Sequence, residues 1–188
     1  MVLKHRVFKT GGETRHTQMN TPLGPLLIAG GDLGLRALSF LSGSNPVHPA
    51  SEWIADASPV REAMAQLDAY FAGELRTFSL PLEPQGTPFQ HRVWAALREI
   101  PYGQTRSYGE LALSLGRQGA ARAVGAANGS NPLPIVVPCH RVIGQNGALT
   151  GYAGGLPIKK ALLELEGISL PASHKAHPAA DPRQSRLF

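Results

Sequence analysis

Apolar residues recur along this chain in two distinct rhythms, and the change from one to the other divides it. In GPLLIAGGDLGLRALSFL, the apolar runs Leu26 to Ala29 and Leu35 to Phe40 are separated by Gly30, Gly31 and Asp32. Short runs broken by glycine and aspartate predict a β-hairpin. SGSNPVHPAS reads as loop. SPVREAMAQLDAYFAGEL then predicts a helix with Ser58 as N-cap, Pro59 in its first turn and Glu62 close to the capping-box position. Its apolar residues Met64, Leu67, Tyr70 or Phe71, and Leu75 recur every three to four positions, and Gly73 weakens the last turn. LRTFSLPLEPQG allows one short extended piece before a Pro/Gly-rich linker, which places a boundary near residues 81–87.

Beyond the linker the rhythm is helical. TPFQHRVWAALREI opens on Thr87 and Pro88 and carries Phe89, Val93, Leu97 and Ile100 on one stripe, with Trp94 at its flank as a core residue rather than a base-stacking platform; Pro101 ends it. SYGELALSLG has Ser107 and Glu110 at capping-box spacing, with Leu111 and Leu115 facing inward and Gly116 as its stop. RQGAARAVGAANGSN continues as a tight connection and a small-faced helix led by arginine. Two short helices so joined have the form of a helix-turn-helix, a pattern also common in plain structural roles. PIVV reads as a short strand, GALTGYAGG as a glycine-rich loop and PIKKALLELEG as a last helix with Ile158, Ala161 or Leu162, and Leu165 on one side. Lys159 and Lys160 begin that helix, where positive charge opposes the dipole and suggests an anionic neighbour. SHKAHPAADPRQSRLF has too little apolar content to pack. The fold class is therefore α+β: a mixed first domain over residues 1–86, a mostly helical second over 87–170, and a disordered tail over 171–188.

Composition narrows the classes of function. The formal charge is +5, and its whole excess lies after residue 80, which is compatible with a nucleic-acid partner without requiring one. No stretch reaches the roughly 18 apolar residues that span a bilayer, so no membrane partner is expected. The one cysteine among 188 residues cannot form an intramolecular disulfide or a thiolate zinc site, and points to a reducing cytoplasmic setting. His5, His16, His48, His174 and His177 lack metal-ligand spacing and read as surface residues; no metal is expected.

That cysteine, Cys139, stands in NPLPIVVPCHRV. A lone cysteine is often a small buried hydrophobe. Here Pro134 and Pro138 restrict the backbone, and Pro138 supplies no N–H, so a fixed turn is expected at the thiol. His140 and Arg141 follow directly, giving a positive field that would favour the thiolate. A neighbouring histidine reaches back to the sulfur as readily through water as directly, and Glu166 is the best acidic orienter. These residues fit a Cys-His nucleophile, as in a hydrolase, or an inert cysteine in a helix-turn-helix binding module.

NPLPIVVPCHRVIGQNGALTGYAGGLPIKKALLELEG, preceded by GTPFQHRVWAALREIPYGQTRSYGELA and AARAVGAANGSNP, resembles the O6-alkylguanine-DNA alkyltransferases, strongly over residues 87–167 and more loosely before them. The resemblance implies a ribonuclease-H-like first domain, a DNA-binding second domain with a helix-turn-helix and a reactive-cysteine loop, and no cofactor. It makes Cys139 the acceptor of the alkyl group from O6-alkylguanine, and O4-alkylthymine a second substrate. It makes His140 a proton relay through water, Glu166 its orienter, and Asn131 the holder of the turn. Arg122 corresponds to the finger that replaces the flipped nucleotide, and Tyr108 to the tyrosine that pushes the neighbouring phosphate. Gly109, Arg117, Ala121, Ala123, Gly125 and Gln145 fall along the DNA face, and Pro134, Val142, Tyr152, Ala153 and Gly154 around the alkylguanine pocket. Related chains often carry Asn at Gly151 and Ser at Ala153. The partner implied is duplex DNA entered from the minor groove by a protein monomeric in solution, with several copies able to lie side by side on DNA. A base buried in the duplex must leave the stack to react, at a cost of a few kcal/mol, and small residues let a helix approach while one long residue fills the gap.

Overall fold

The computed structural model describes residues 12–169. The first domain is a four-stranded sheet in the order β3-β2-β1-β4, with β1 Arg15–Thr21, β2 Gly24–Gly31, β3 Gly34–Phe40 and β4 Ile54–Ala55. β2 and β3 are the expected hairpin; the strand runs on through Gly31, and Asp32 and Leu33 make the turn. β1, which pairs antiparallel with β2 from Arg15↔Gly30 to Thr21↔Gly24, has no apolar run, and only Met19 in it is buried. The extended piece after the first helix joins the edge of β3, where Leu35 N–H donates to Pro81 O and Glu83 N–H to Leu35 O, both within 2.9 Å.

The helix α1 spans Arg61–Phe71 and starts two residues later than its cap pattern suggests. Ser58 is not its N-cap. It lies in a 3-10 turn, Ser58–Val60, whose N-cap is Ala57, and the carboxylate of Asp56 just ahead accepts Ser58 N–H at 2.8 Å and the Ser58 hydroxyl at 2.7 Å. That pairing keeps the Asp56 carboxyl below the usual carboxylate range. Glu62 makes no capping box there; its carboxylate accepts from Gln66 one turn on.

In the second domain, α2 Pro88–Arg98 and α3 Tyr108–Ser114 both begin with complete capping boxes, Thr87 with Gln90 and Ser107 with Glu110. Residues 115–120 connect α3 to α4 Ala121–Gly129. A two-residue parallel pair, β5 Arg106–Ser107 with β6 Val142–Ile143, ties the start of α3 to the segment after the cysteine. α5 Leu156–Leu165 closes the fold. PIVV is not a strand. Pro134–Val137 form turns, with Val137 N–H donating to Leu133 O and Ile135 at φ +75°. Proline lacks the ladder donor, and apolar runs are drawn inward by burial whether or not they pair, so the run carried no strand information.

One hydrophobic core runs through both domains, from Leu26, Ile28 and Leu38 through Leu67 and Tyr70 to Trp94, Leu111, Val124, Cys139 and Leu162. Trp94 belongs to it and donates its indole N–H to Ala127 O. Leu38 N–H donates to Pro132 O at 2.8 Å, so the sheet meets the turn that leads to the thiol. The tail predicted from residue 171 lies outside the described residues, as do His5, His174 and His177.

Gly34 has φ +141°, and a Cβ on it would run into the Pro81 backbone; Gly73 has φ +76° with open space around it. Gly34→Ala is expected to cost at least about 2 kcal/mol of unfolding free energy and Gly73→Ala about 1 kcal/mol, because only the first adds a collision to backbone strain. Equal losses in urea denaturation would remove the close approach of the 81–83 segment as a determinant of the fold.

Candidate active site

Turns bounded by Pro134 and Pro138 lead into a 3-10 turn, Cys139–Arg141, which aims three consecutive side chains into the interior. Ile135, a β-branched residue with positive φ, holds strained backbone immediately before it. The side chain of Asn131 pins the turn from beneath: its amide donates to Val137 O at 2.7 Å and its carbonyl accepts Leu133 N–H at 3.0 Å. Asn128 donates to Cys139 O at 3.4 Å.

Glu166, the residue that ends α5, has a fully buried side chain, and the site is organised on it. Its Oε1 accepts from His140 Nε2 at 2.8 Å, Arg141 Nη2 at 2.9 Å and the Tyr70 hydroxyl at 2.8 Å. Its Oε2 accepts from Arg141 Nε at 2.8 Å and Gly103 N–H at 3.2 Å. Burial alone would raise the carboxyl's pKa; the hydrogen bonds and charges of His140 and Arg141 outweigh it and bring the value down to about 2. An ionised carboxylate only accepts, so the imidazole hydrogen sits on Nε2. Burial lowers the pKa of His140 against the opposing pull of Glu166, so the ring is held neutral and Nδ1 carries a lone pair. Nδ1 is buried and has no hydrogen-bond partner.

The thiol itself departs from the sequence expectation. Cys139 is 5% exposed, and burial pushes its pKa up to about 11, against the opposing influence of Asn131 and Lys159. His140 is neutral and Arg141 is committed to Glu166 and to Ile100 O, so neither supplies the positive field anticipated for a resting thiolate. The cation that acts on the sulfur is Lys159, fully buried on α5, its Nζ donating at 2.6 Å to Val142 O and to Thr150 O. Burial lowers the Lys159 pKa to about 8, against the opposing influence of Cys139. In place of the anionic neighbour suggested for the start of α5, Lys159 meets carbonyl oxygens, while Lys160 pairs with Glu164 at 3.6 Å.

Tyr152, Ala153 and Gly154 lie in the loop that leads into α5, and Pro134 and Val142, before and after Cys139 in the chain, are buried. The Tyr152 hydroxyl is buried without a hydrogen-bond partner, and burial raises its pKa, as does Cys139 to a smaller extent. The first domain holds the loop: Asn45 N–H donates to Ala153 O at 3.1 Å, and a Cβ on Gly43 would stand 2.9 Å from the Gly154 Cα. A cavity of about 350 Å³ lies between Val47, His48 and Trp53 on one side and Asn131, Pro134, Ala153 and Gly154 on the other.

Arg122, Ala123, Arg117 and Gln145 are exposed, and Gly109, Ala121 and Gly125 are half-buried. Tyr108 lies against Gly125, where an added Cβ would be 3.6 Å from its ring, and its hydroxyl donates to Thr150 O at 3.4 Å. Glu110 turns its carboxylate to Ser107 N–H, so no surface pair with Arg122 accounts for that arginine. Among the described residues no three His, Cys, Asp or Glu side chains gather as a metal site, and no helix is long and apolar enough to cross a membrane. Three contributors went unrecognised in the sequence. Tyr70 reads as one more apolar-stripe residue, Arg141 as a source of local field, and Lys159 as a cation facing an anionic neighbour, with nothing to tie it to the thiol.

The chain belongs to the 6-O-methylguanine DNA methyltransferase family: the profile of its DNA-binding domain matches residues 88–168 and that of its ribonuclease-like domain residues 14–84. The methylated-DNA–protein-cysteine methyltransferase of Methanosarcina acetivorans is 54% identical over 147 residues, 78% of this chain and 94% of its own. That of Mycobacterium tuberculosis is 53% identical over 155 residues, 82% of this chain and 93% of its own. The crystal structure of M. tuberculosis OGT in complex with DNA matches with a TM-score of 0.75 at 52% identity, covering 82% of this chain and 92% of that one.

A carboxyl held at about 2 rather than its ordinary 4.5 contributes stability that is fully present above pH 4.5 and is lost as pH falls towards 2. Glu166→Gln is expected to lower stability at neutral pH by about 3 kcal/mol, since Arg141 is left buried and unpaired. It should also flatten the loss of stability between pH 4.5 and 2 in acid-titrated denaturation curves. An unchanged acid limb would mean that Glu166 is not the carboxylate carrying it.

Proposed function

We infer that this chain repairs DNA by direct reversal, moving the alkyl group of O6-alkylguanine irreversibly to its own Cys139. The observation that carries the reading is the cysteine's setting: the chain's one thiol lies in a pinned turn joined to a buried His140–Glu166 pair, within a methyltransferase chain matched over both its domains. His140 Nδ1 is the base that receives the thiol proton through a bridging water, and Glu166 stabilises the imidazolium that forms. The sulfur attacks the alkyl carbon, an S–C bond forms as the C–O6 bond breaks, and the guanine takes up a proton as it departs. A thioether is not hydrolysed, so each molecule acts once. The high thiol pKa means that the thiolate arises as substrate engages, with Lys159 offsetting its charge. The inert-cysteine alternative leaves this buried relay without a purpose.

The partner is duplex DNA. The helices α3 and α4 act as a helix-turn-helix entering the minor groove, with the small residues Ala123 and Gly125 allowing close approach and Arg122 occupying the stack in place of the flipped nucleotide. Tyr108 pushes the neighbouring phosphate, and Gly109, Arg117, Ala121 and Gln145 complete the contact. Minor-groove edges distinguish bases poorly, so the lesion supplies the selectivity. Pro134, Val142, Tyr152, Ala153 and Gly154 line the base pocket, and O4-alkylthymine is a second substrate. The protein acts as a cytoplasmic monomer, with copies able to lie side by side on DNA and no cofactor.

Intact mass spectrometry after mixing with a duplex carrying O6-methylguanine is expected to show a single added methyl group, mapped to the Cys139 peptide. Cys139→Ala should abolish the gain while duplex affinity stays within about threefold, since the sulfur contributes no phosphate contact. Methyl removal by that variant would sink the assignment of the nucleophile. Arg122→Ala should slow transfer from a saturating duplex by at least about tenfold but transfer from free O6-benzylguanine by no more than about twofold, because only the duplex carries an unstacking cost. Equal losses on both substrates would return Arg122 to a role in the fold or the pocket.

A further inference from the structure

Among the described residues, the first domain reaches the Glu166 carboxylate through one side chain, that of Tyr70. Tyr70 lies in α1, within the apolar stripe that joins that helix to the core, and its ring is fully buried against Phe71, Phe78 and Tyr102. A phenylalanine would fill the same space. The hydroxyl is what distinguishes it, and it donates at 2.8 Å to Glu166 Oε1, the oxygen that also holds His140 Nε2 at 2.8 Å. We propose that Tyr70 is a positioning residue of the Cys139–His140–Glu166 relay, its hydroxyl setting how strongly the shared carboxylate oxygen pulls on the imidazole hydrogen. This rests on the alkyltransferase reading given above.

Tyr70, His140 and Arg141 compete for one oxygen. Each donor that Oε1 accepts withdraws charge from it and makes it a weaker acceptor for the next. Arg141 meets both oxygens and is anchored on Ile100 O, and Gly103 N–H meets Oε2, so these fix the carboxylate's plane. Tyr102 gives its hydroxyl to Leu165 O and lies under the Arg141 guanidinium at 5.8 Å, outside the competition. Lys159 is the remaining charged group acting on His140, and it acts from the side of Cys139. Tyr70 is thus the neutral donor that shares His140's own oxygen, and its phenol stays protonated because burial and the adjacent Glu166 raise its pKa. Weakening that donor strengthens the Glu166–His140 bond, stabilises the imidazolium and raises the pH at which His140 takes a proton. The thiol then meets a base already protonated over a wider acid range. The first domain, distant in sequence from the cysteine, therefore tunes the base as well as supporting it.

Two replacements in the full chain move the donor in opposite directions while keeping the ring. Tyr70→Phe removes it, and 3-fluorotyrosine at Tyr70, whose phenol is more acidic, strengthens it. Proton and nitrogen NMR of the His140 ring at neutral pH, with no DNA present, is expected to show the Nε2–H resonance moving downfield in Tyr70→Phe and upfield with fluorotyrosine. Transfer from an O6-methylguanine duplex should fall off at higher pH in the first and at lower pH in the second. At the pH where the wild-type rate first begins to fall on its acid side, the Tyr70→Phe rate, relative to its own alkaline plateau, should already be down by about threefold or more. Resonances that stay in place, or that shift in the same direction in both variants alongside lowered melting temperatures, would overturn the proposal and leave Tyr70 as a core residue. The NMR readout needs no substrate, so a wild-type protein that failed to transfer the alkyl group would overturn the alkyltransferase reading and leave this result interpretable.

Discussion

A carboxylate removed from water must be surrounded by donors, and the architecture of this protein follows from satisfying one such group. Glu166 sits at the end of the last helix, and its donors come from α1, from the turn after α2 and from the reactive 3-10 turn. Those segments are far apart in the chain, 96 residues in the case of Tyr70. Leaving any strong partner out would strand a buried charge at a cost of several kcal/mol, so the pieces are stable only when assembled together. The continuous core that links the two domains, with Leu38 bonded to Pro132, is the apolar counterpart of the same constraint.

The state of the site follows from that arrangement. With Glu166 ionised and Arg141 committed to it, His140 remains neutral, with one nitrogen held and the other free of protein partners. The buried thiol keeps its proton. A single-use protein gains from this, because a nucleophile that is spent by its first reaction should be unreactive until the right electrophile arrives. The strained Ile135 and the two-point anchoring of the turn by Asn131 place the sulfur, and Lys159 offers a positive charge once the thiol proton has left.

Features set by neighbours in sequence were legible without the structure. The β2–β3 hairpin, the capping box at Ser107 and Glu110, and the inward-facing Trp94 all depend on turn chemistry or on helical spacing, which a local window contains. The nucleophile and its histidine and glutamate were legible because PCHRV stands with RAVG and YAGGL in the wider resemblance. Features set by distant partners were not. β1 is polar and is held as a strand by pairing with β2 and β4, and PIVV is apolar because it is buried, in turns rather than in a sheet. Asp56 and Tyr70 look ordinary in their own windows, and Lys159 stands out there only as a cation at a helix start, with no sign of its partners. Their roles depend on the 3-10 turn whose Ser58 Asp56 holds, the carboxylate that Tyr70 meets and the carbonyls that surround Lys159.

The relay is assembled but not ionised at the sulfur. Because Cys139 is the only cysteine, the ultraviolet difference between the protein and its Cys139→Ala variant separates the thiolate from the tyrosinates, and a pH titration of that difference with no DNA present reads the state of the resting site. The structure predicts a transition near about 11, with the thiol protonated throughout the neutral range. A transition below the ordinary thiol value of about 8.5 would show a resting thiolate and contradict the neutral relay built on Glu166.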